Sequence, residues 1–343
     1  MNYLSYLNIK HFRGIENLEL KDLSTINIIV GDNNSGKTSL LEAITLLESP
    51  DNIKNMLLNA SKRDSNNNSK FELFLEMFPK NQFNERSIHL KSTINNYKND
   101  LKIKGNINEI IDFNNNIELE KKIFEGNIIL KQDNENVLNK DIYIEENTKL
   151  RLSGSQNIVD MVYVTPYDHF KEGLLNRTID VIKDGDKKEI VRLLNMFDNN
   201  ISGFEILPNT NNSTTIYIEH KKYGLIPLSS FGDGVKKVIT LASAIVSCKG
   251  GILLIDEIET AIHKNMIGEV FNWFTKACFK YKIQLICTTH SLEVIDAMIN
   301  NIDDNIDELV CFRIESQDEN VYTTRFSGNK LKDIRTLLGQ DVR

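Results

Sequence analysis

The sequence is poor in cysteine, and none of its cysteines stand in close pairs. The four residues, Cys248, Cys278, Cys287 and Cys311, are scattered singly among apolar neighbours. Zinc sites and thiol redox motifs need cysteines at short spacing, so the pattern excludes both kinds of site. We therefore expect four buried, reduced thiols.

An excess of positive charge is also missing. The formal net charge is -7 and the pI is about 5.5. Such a balance gives no general attraction to nucleic acid or to an anionic membrane. A role on nucleic acid would therefore need a local basic patch.

Long apolar runs are absent as well. The opening MNYLSYLNIKHFRG has neither the apolar core nor the cleavage site of a signal peptide, and no later run is long enough to span a bilayer. With 343 residues, 41% of them hydrophobic, the chain can still bury a sizeable core. The sequence thus predicts a globular cytoplasmic protein with no membrane partner.

A phosphate-binding motif is present near the start. Residues 31–40, GDNNSGKTSL, lie between a strand-like and a helix-like apolar run and fit the pattern G-x-x-x-x-G-K-[ST]. Such a loop directs backbone N–H groups and a helix N-terminus at phosphate oxygens, its lysine reaches the β- and γ-phosphates, and its threonine binds Mg²⁺. The alternative is an ordinary Gly/Asn/Ser turn. The predicted nucleotide-binding residues of the loop are Gly31, Asn33, Asn34, Ser35, Gly36, Lys37, Thr38 and Ser39.

The pattern of strands and helices changes twice along the chain. Residues 1–50 read strand, turn, strand, phosphate loop, helix, and are predicted to begin an ATPase domain. Residues 51–158 contain polar–apolar alternating runs, which predict an antiparallel β-rich insertion with one wet face. Residues 159–343 alternate strand and helix and are predicted to complete the domain. The predicted fold class is α/β, a P-loop NTPase with a mixed sheet covered by helices and an antiparallel β insertion.

Two carboxylates end a predicted strand in the second half. In GILLIDEIE, an apolar run leads into Asp256 and Glu257, at the strand end where α/β sheets bind ligands. One carboxylate can support Mg²⁺ while the next accepts a proton from attacking water. His290, in LICTTHS, ends another strand and can hydrogen-bond a γ-phosphate oxygen or the water. The alternatives are an acidic turn and a structural histidine, but with Lys37 on the same chain the set predicts a hydrolytic site.

A second candidate anion site lies in LSSFGDGVKK, residues 228–237. Ser230, Gly232 and Asp233 precede a patterned helix that we predict to begin after Gly234. Such a loop offers a hydroxyl and free N–H groups at a positive helix end, although an N-cap turn is the alternative. Two phosphate-binding helix starts in one chain suggest that each completes the other's site across a dimer.

The motifs GDNNSGKTS, LSSFGDGVKK, LLIDEIETAIH and TTHS, in that order, resemble those of the ABC-type ATPases of the RecF, structural-maintenance-of-chromosomes (SMC) and overcoming-lysogenization-defect (OLD) group. The opening LNIKHFRGIENLEL is similar to the N-terminal strand pair of that group. The best resemblance is to the OLD-like ATP-binding proteins: Glu259 and His263 are kept, whereas Ile262 and Lys264 stand where leucine and proline are usual.

This resemblance implies an ABC-type fold, ATP and Mg²⁺ as cofactors, and a role for each core residue. Lys37 and Thr38 would hold phosphate and Mg²⁺, and Asp256 would support the metal. Glu257 would polarise water, and His290 matches the switch histidine. The implied catalytic residues are therefore Glu257, His290 and Lys37, and the implied metal residues are Thr38 and Asp256.

The remaining motifs are implied to act at the edges of the site. Ser230, Gly232 and Asp233 resemble the signature loop that contacts the γ-phosphate bound to the opposite subunit. Arg13, in HFRG, matches a residue near the nucleotide, with a surface arginine as the alternative. The stretch MVYVTPYDH corresponds to the glutamine loop but contains no glutamine.

Features that the sequence lacks complete the functional hypothesis. There is no Asn-Lys-x-Asp motif for guanine and no long heptad region. Where OLD nucleases carry a Toprim domain, this sequence has only a short segment, in which ESQDEN is expected to form a hairpin turn. We therefore expect an ATPase that forms a homodimer or higher homo-oligomer on ATP and controls a separate effector, such as a nuclease, in bacterial antiphage defence. The alternatives are a RecF-like DNA-binding ATPase in repair and, less in keeping with the motifs, an ABC transporter subunit.

Overall fold

The structure is a computed structural model in which the described residues are 3–62, 69–82, 85–114, 117–146, 157–170, 173–183, 185, 187–208, 214–317 and 320–343. The described strands, in chain order, are β1 (Leu4–Phe12), β2 (Ile15–Lys21), β3 (Ile26–Gly31), β4 (Glu85–Ile94), β5 (Tyr97–Asn114), β6 (Ile117–Gln132), β7 (Glu135–Glu145), β8 (Met161–Val164), β9 (Ile201–Pro208), β10 (Thr214–His220), β11 (Gly224–Pro227), β12 (Ile252–Ile255), β13 (Gln284–Thr288), β14 (Leu309–Gln317) and β15 (Asn320–Ser327). The described α-helices are α1 (Lys37–Thr45), α2 (Ile53–Ser61), α3 (Lys70–Leu75), α4 (Gly173–Lys183), α5 (Lys187–Phe197), α6 (Asp233–Ser247), α7 (Lys264–Lys280), α8 (Leu292–Asn300) and α9 (Gly328–Thr336).

The central sheet has the strand order β15-β14-β3-β13-β12-β8. Its strands run parallel except β15, which pairs with β14 as an antiparallel hairpin at one edge. All six residues of β3 are buried, as expected for a strand whose sheet is covered on both faces. The phosphate loop therefore leaves the middle of a sheet whose other strands come mostly from the last third of the chain.

The second sheet has the order β2-β1-β4-β5-β6-β7 and is antiparallel throughout. A third sheet, β11-β10-β9, is also antiparallel. The predicted mixed sheet with an antiparallel addition is confirmed.

Two hydrophobic cores lie on the opposite faces of the central sheet. Along β12, Leu253 and Ile255 face one core with α5, α6, α7 and α8, whereas Ile252 and Leu254 face the other core, together with the antiparallel sheet and α1. This alternation follows from the two-residue period of a strand. All four cysteines are buried and free, as predicted, and burial raises the pKa of the Cys248 thiol to about 12.

Several elements differ from the sequence predictions. The helix predicted to begin after Gly234 begins at Asp233 with Gly232 as its N-cap, because an acidic side chain in the first turn is favoured by the helix dipole. The first part of the predicted β-rich insertion forms α2 and α3. Its antiparallel strands continue the sheet begun by β1 and β2, across the predicted boundary at residue 51. The division into domains stays a prediction.

In the predicted hairpin at ESQDEN, the two strands β14 and β15 are present and paired. Its turn residues Asp318 and Glu319 lie outside the described residues. Among the residues that are described, no helix has both the length and the apolar character needed to cross a membrane.

Candidate nucleotide site

The phosphate loop connects the end of β3 to the start of α1. Gly31 has a φ of +146°, and a Cβ atom there would lie 2.2 Å from the carbonyl oxygen of Ile314 in β14. Gly36 caps α1 with a φ of +95°, a left-handed conformation that glycine adopts without steric cost. Glycine is thus required by close strand packing at the first position and by the turn at the second.

Lys37 is buried at the foot of this loop. Its ammonium donates to the main-chain carbonyls of Gly31 (2.8 Å) and Asp32 (2.7 Å). Burial lowers the pKa of Lys37, and the nearby carboxylate of Asp256 is the first of several acidic groups that oppose this effect. The Lys37 side chain is therefore held against the phosphate loop by the loop's own main-chain carbonyls.

Asp256 receives two hydroxyl hydrogen bonds beside the loop. Thr38 Oγ1 donates to Asp256 Oδ2 at 2.7 Å, and Thr288 Oγ1 donates to Asp256 Oδ1 at 2.6 Å. Asp256 is only 4% exposed. The carboxylate therefore joins the start of α1 to the ends of β12 and β13 in one fixed geometry.

Glu257 follows in a left-handed conformation, with a φ of +45°. Such a conformation costs a non-glycine residue about 1–3 kcal/mol and is typical of functional positions. The N–H of Glu257 donates to Thr288 Oγ1 at 2.7 Å, and Thr260 Oγ1 donates to Glu257 Oε2 at 3.1 Å. These contacts hold the strained turn and place Glu257 at the wall of the cavity beside the phosphate loop.

His290 ends the segment after β13, and Glu259 holds its main chain. Glu259 accepts hydrogen bonds from Thr289 Oγ1 and from the N–H of His290, both at 2.7 Å. The next residue, Ser291, caps α8 by accepting from the N–H of Val294. The position of the imidazole is thus set by a carboxylate three residues after Asp256.

These residues surround one cavity of about 390 Å³. Its described lining is Gly14, Ile15, Asn33, Asn34, Ser35, Gly36, Lys37, Thr38, Ser39, Asp256, Glu257, His290, Ser316 and Val321. Apart from Gly31, the predicted loop residues therefore line this cavity together with the acidic pair and the histidine. Such a combination of a helix N-terminus, a lysine, two carboxylates and a histidine can hold phosphate groups and activate water.

Arg13 lines an adjoining cavity of about 830 Å³, which shares Gly14, Ser39 and other residues with the first. Its guanidinium Nε lies 2.7 Å from Glu42 Oε2 of α1, and both side chains are largely buried. Arg13 itself adopts a φ of +51° at the β1–β2 turn. The arginine is therefore not a free surface residue.

The predicted signature loop lies elsewhere. Ser230, Gly232 and Asp233 are exposed, and none of them is among the residues that line either cavity. Asp233 pairs with Lys236 at 3.0 Å on its own helix. One chain alone therefore does not bring these three residues to its own phosphate loop.

The stretch after β8, which resembles the glutamine loop in position, contains Asp168 instead. Thr165 Oγ1 donates to Asp168 Oδ1 at 2.5 Å, and Lys62 and Arg177 lie 3.7 and 3.8 Å from its other oxygen. Lys237 of α6 is fully buried. Burial lowers its pKa to about 8, against the attraction of Asp168.

Comparison with known protein families identifies the family of this chain. Residues 26–296 match the family described as "AAA domain, putative AbiEii toxin, Type IV TA system". The chain belongs to this family. It is a P-loop ATPase, and nucleotide binding is the shared property of such AAA-family proteins.

Relatives of this chain were also found by sequence similarity. An ATP/GTP phosphatase of Helicobacter pylori is 25% identical over 372 residues, which cover 95% of this chain and 96% of the relative. The RecF replication and repair protein of Pseudoalteromonas translucida is 59% identical, but over only 44 residues, or 13% of this chain and 12% of RecF. The RecF likeness is therefore local.

Solved structures show the fold. An SMC head bound to the C-terminal winged-helix domain of ScpA superposes with a TM-score of 0.52 at 13% identity, covering 95% of this chain and 98% of that one. An SMC head with an extended coiled coil, bound to a ScpA domain from Pyrococcus furiosus, gives the same TM-score and identity over 99% and 100% of the two chains. The fold is that of the ABC-type ATPases of the RecF and SMC group.

Sequence reasoning missed Thr288 and Glu42, and it gave Glu259, a residue of the family motif, no role in the site. Thr288 bridges Asp256 and Glu257, Glu259 holds the His290 turn, and Glu42 pairs with Arg13. The adjacent hydroxyls of TTH could have indicated a role beside the acidic strand end. The Arg13–Glu42 pair carried no local signal, because its partners lie on separate elements.

Proposed function

We propose that this family member is an ATP-dependent dimerising switch, in which each protomer's signature loop completes the nucleotide site of its partner. The observation that carries the proposal is the separation of two anion-binding features within one chain. The phosphate loop, acidic pair and His290 line one cavity, whereas Ser230, Gly232 and Asp233 are exposed outside it. A second copy would bring the exposed loop to the γ-phosphate.

Within the shared site, each residue has a proposed role. The backbone of residues 31–36 and the start of α1 hold the phosphates, and Lys37 turns from two carbonyls to the β- and γ-phosphates. Glu257 accepts the proton of the attacking water, and His290 hydrogen-bonds the γ-phosphate or that water. The adjoining cavity of about 830 Å³ that Arg13 lines would have room for the base and ribose.

Thr38 and Asp256 are proposed to hold Mg²⁺. Their hydroxyl and carboxylate oxygens lie 2.7 Å apart and are the hard ligands that Mg²⁺ prefers. No cluster of three or more His, Cys, Asp or Glu residues suited to a metal occurs in the described part of the chain. That fits an ion bound through few protein ligands together with nucleotide phosphates, whose charge the metal neutralises when it is bound.

We propose further that the switch controls a separate effector protein, such as a nuclease, in bacterial antiphage defence. The family description, with its toxin and toxin–antitoxin terms, supports a role in such a system. Assignment to the OLD-like branch is part of this proposal. It is supported by the motif LLIDEIETAIH, in which Glu259 holds the His290 turn and His263 caps α7.

The shared site is tested by mixing two inactive variants. Lys37→Ala is expected to lose ATP affinity, and Ser230→Arg to keep ATP binding but lose hydrolysis. An equal mixture should regain up to about a quarter of wild-type activity, because half of the dimers are mixed and each has one intact site. A mixture as inactive as its components, although both variants are folded, would reject the shared site.

The effector proposal has its own test. Glu257→Gln, incubated with ATP and Mg²⁺ in extract of its host, should retain the effector, whereas Lys37→Ala should not. The isolated chain should hydrolyse ATP while leaving DNA and RNA intact in Mg²⁺ or Mn²⁺. Metal-dependent cleavage by the isolated chain that persists in Lys37→Ala would overturn the division between ATPase and effector.

A RecF-like role on DNA is the second candidate, and the 59% identity over 44 residues is the observation that favours it. It predicts that ATP increases retention of duplex DNA by the wild-type protein and that raising the salt concentration weakens it. The net charge of -7 weighs against this candidate.

A further inference from the structure

We propose that Arg343 is a positioning residue for His290 and thereby contributes to the rate of ATP hydrolysis. The inference rests on the proposed role of His290 in the nucleotide site. It adds a residue that lies outside both cavities and 53 positions from the histidine in sequence.

The main chain of His290 is held from both sides by charged side chains. Its N–H donates to Glu259 Oε1 at 2.7 Å, and its carbonyl oxygen accepts from Arg343 Nη1, also at 2.7 Å. Hydrogen bonds with a charged partner are shorter and stronger than those between neutral groups. With both peptide groups held, the imidazole at the cavity wall has its backbone position set.

Arg343 is itself aimed by Asp341. The guanidinium donates through Nη2 to Asp341 Oδ2 at 2.6 Å and through Nε to Asp341 Oδ1 at 3.0 Å. This two-point contact fixes the plane of the guanidinium and leaves Nη1 for the carbonyl of His290. The aspartate therefore sets the direction of the bond to the histidine turn.

The segment that carries this pair is anchored to the fold. Val342 is 2% exposed and belongs to the core that contains α8. Arg335 of α9 forms a bidentate pair with Asp296 of α8, at 2.8 Å for both bonds, and donates to the carbonyl of Gln340 at 2.6 Å. Residues 340–343 are thus held against α8, which follows the His290 turn, and α9, which follows β15.

Loss of this contact should affect turnover more than binding. The phosphates are held by the loop and Lys37, which Arg343 does not touch, so the affinity for ATP should stay the same. A small displacement of a catalytic group can lower the rate strongly. Because the arginine is partly exposed, with 39% of its side chain accessible, we expect an intermediate effect.

The experiment compares Arg343→Ala with Lys332→Ala, an exposed residue of α9 that loses the same charge. Arg343→Ala should lower kcat about five- to tenfold with KM and melting temperature unchanged, and Lys332→Ala should change none of them. Arg343→Lys should recover part of kcat, because an ammonium can still donate to the carbonyl. Asp341→Ala, which frees the guanidinium, should give a smaller loss of the same kind.

His290→Ala separates failure of this inference from failure of the proposed function. If His290→Ala leaves kcat unchanged, the role of the histidine is wrong. If His290→Ala lowers kcat but Arg343→Ala does not, the positioning role alone is rejected. When both are right, adding Arg343→Ala to His290→Ala should cause no further loss of kcat, and two independent, multiplicative losses would contradict the coupling.

Discussion

At the scale of single residues, the strained turn at Glu257 offers the most direct test of the chemistry. Glu257→Gln preserves the size and polarity of the side chain but removes its ability to accept a proton. Hydrolysis should fall at least about a hundredfold, the usual range for a general base, while ATP affinity is kept. Steady-state turnover and equilibrium binding of a fluorescent ATP analogue measure the two quantities. Undiminished turnover would assign the base elsewhere.

A second prediction concerns Lys237, whose buried ammonium lowers the free energy of unfolding. This lysine is fully buried, and burial lowers its pKa from 10.5 to about 8. Below pH 8 the folded and unfolded chains are both protonated, so the cost of the buried charge is fully present. Between pH 8 and 10.5 only the unfolded chain keeps the proton, so stability rises with pH by about 3 kcal/mol from this group.

Lys237→Met should therefore stabilise the protein at pH 7, and its advantage over the wild type should shrink as pH rises from 8 toward 10.5. Urea denaturation at pH 7 and pH 9.5 measures both free energies of unfolding. Lys276→Met, exposed on α7, is the matched control and should change neither. A destabilised Lys237→Met protein at pH 7 would mean that the ammonium gains more from the carboxylates around it than burial costs.

At the scale of elements, the β5–β6 hairpin depends on a facing pair of glycines. Gly105 and Gly126 are cross-strand partners, and a Cβ on Gly105 would lie 2.3 Å from the carbonyl oxygen of Glu125 and 2.7 Å from the ring of Phe124. The ring thus covers Gly105 and contacts Phe74 with centroids 5.0 Å apart. One aromatic side chain both fills the gap in the sheet and joins it to α3.

Phe124→Ala should destabilise the protein by about 3–5 kcal/mol, as other buried phenylalanine truncations do. Ile129→Ala, on the opposite face of β6 and only half-buried, should cost clearly less. Chemical denaturation of the two variants provides the comparison. Equal losses would show that the outer face of this sheet is as tightly packed as the inner one.

The same elements show what a single sequence reveals. The phosphate loop, the acidic strand end and α6 were predictable because each has a local motif or a regular apolar period. The helices α2, α3, α4 and α9 were not predicted, because each is only six to eleven residues long, which leaves little room for a regular apolar period. The contacts of Thr288, Glu259 and Arg343 join residues 31 to 53 positions apart, and no local pattern encodes such pairings.

At the scale of the whole molecule, the proposed shared site makes assembly depend on nucleotide. Glu257→Gln, which should bind ATP without hydrolysing it, is expected to sediment at about twice the 39.3 kDa of the chain when ATP is present and as a monomer without it. Adding Ser230→Arg should return the monomer. Sedimentation velocity at several protein concentrations makes the measurement. A monomer that hydrolyses ATP at a specific rate independent of concentration would contradict the model.

The strand order of the central sheet also has a consequence for how the protein is made. The strand before the phosphate loop lies between β13 and β14, so its partners leave the ribosome more than 250 residues after it, a separation seen in the bond from Asn27 to the carbonyl of Leu285. Contacts this distant form slowly and leave strand edges unpaired meanwhile. The ATP site is therefore completed late in synthesis, and a nascent chain that stalls before β13 would carry the complete phosphate-loop motif without the two strands that flank β3.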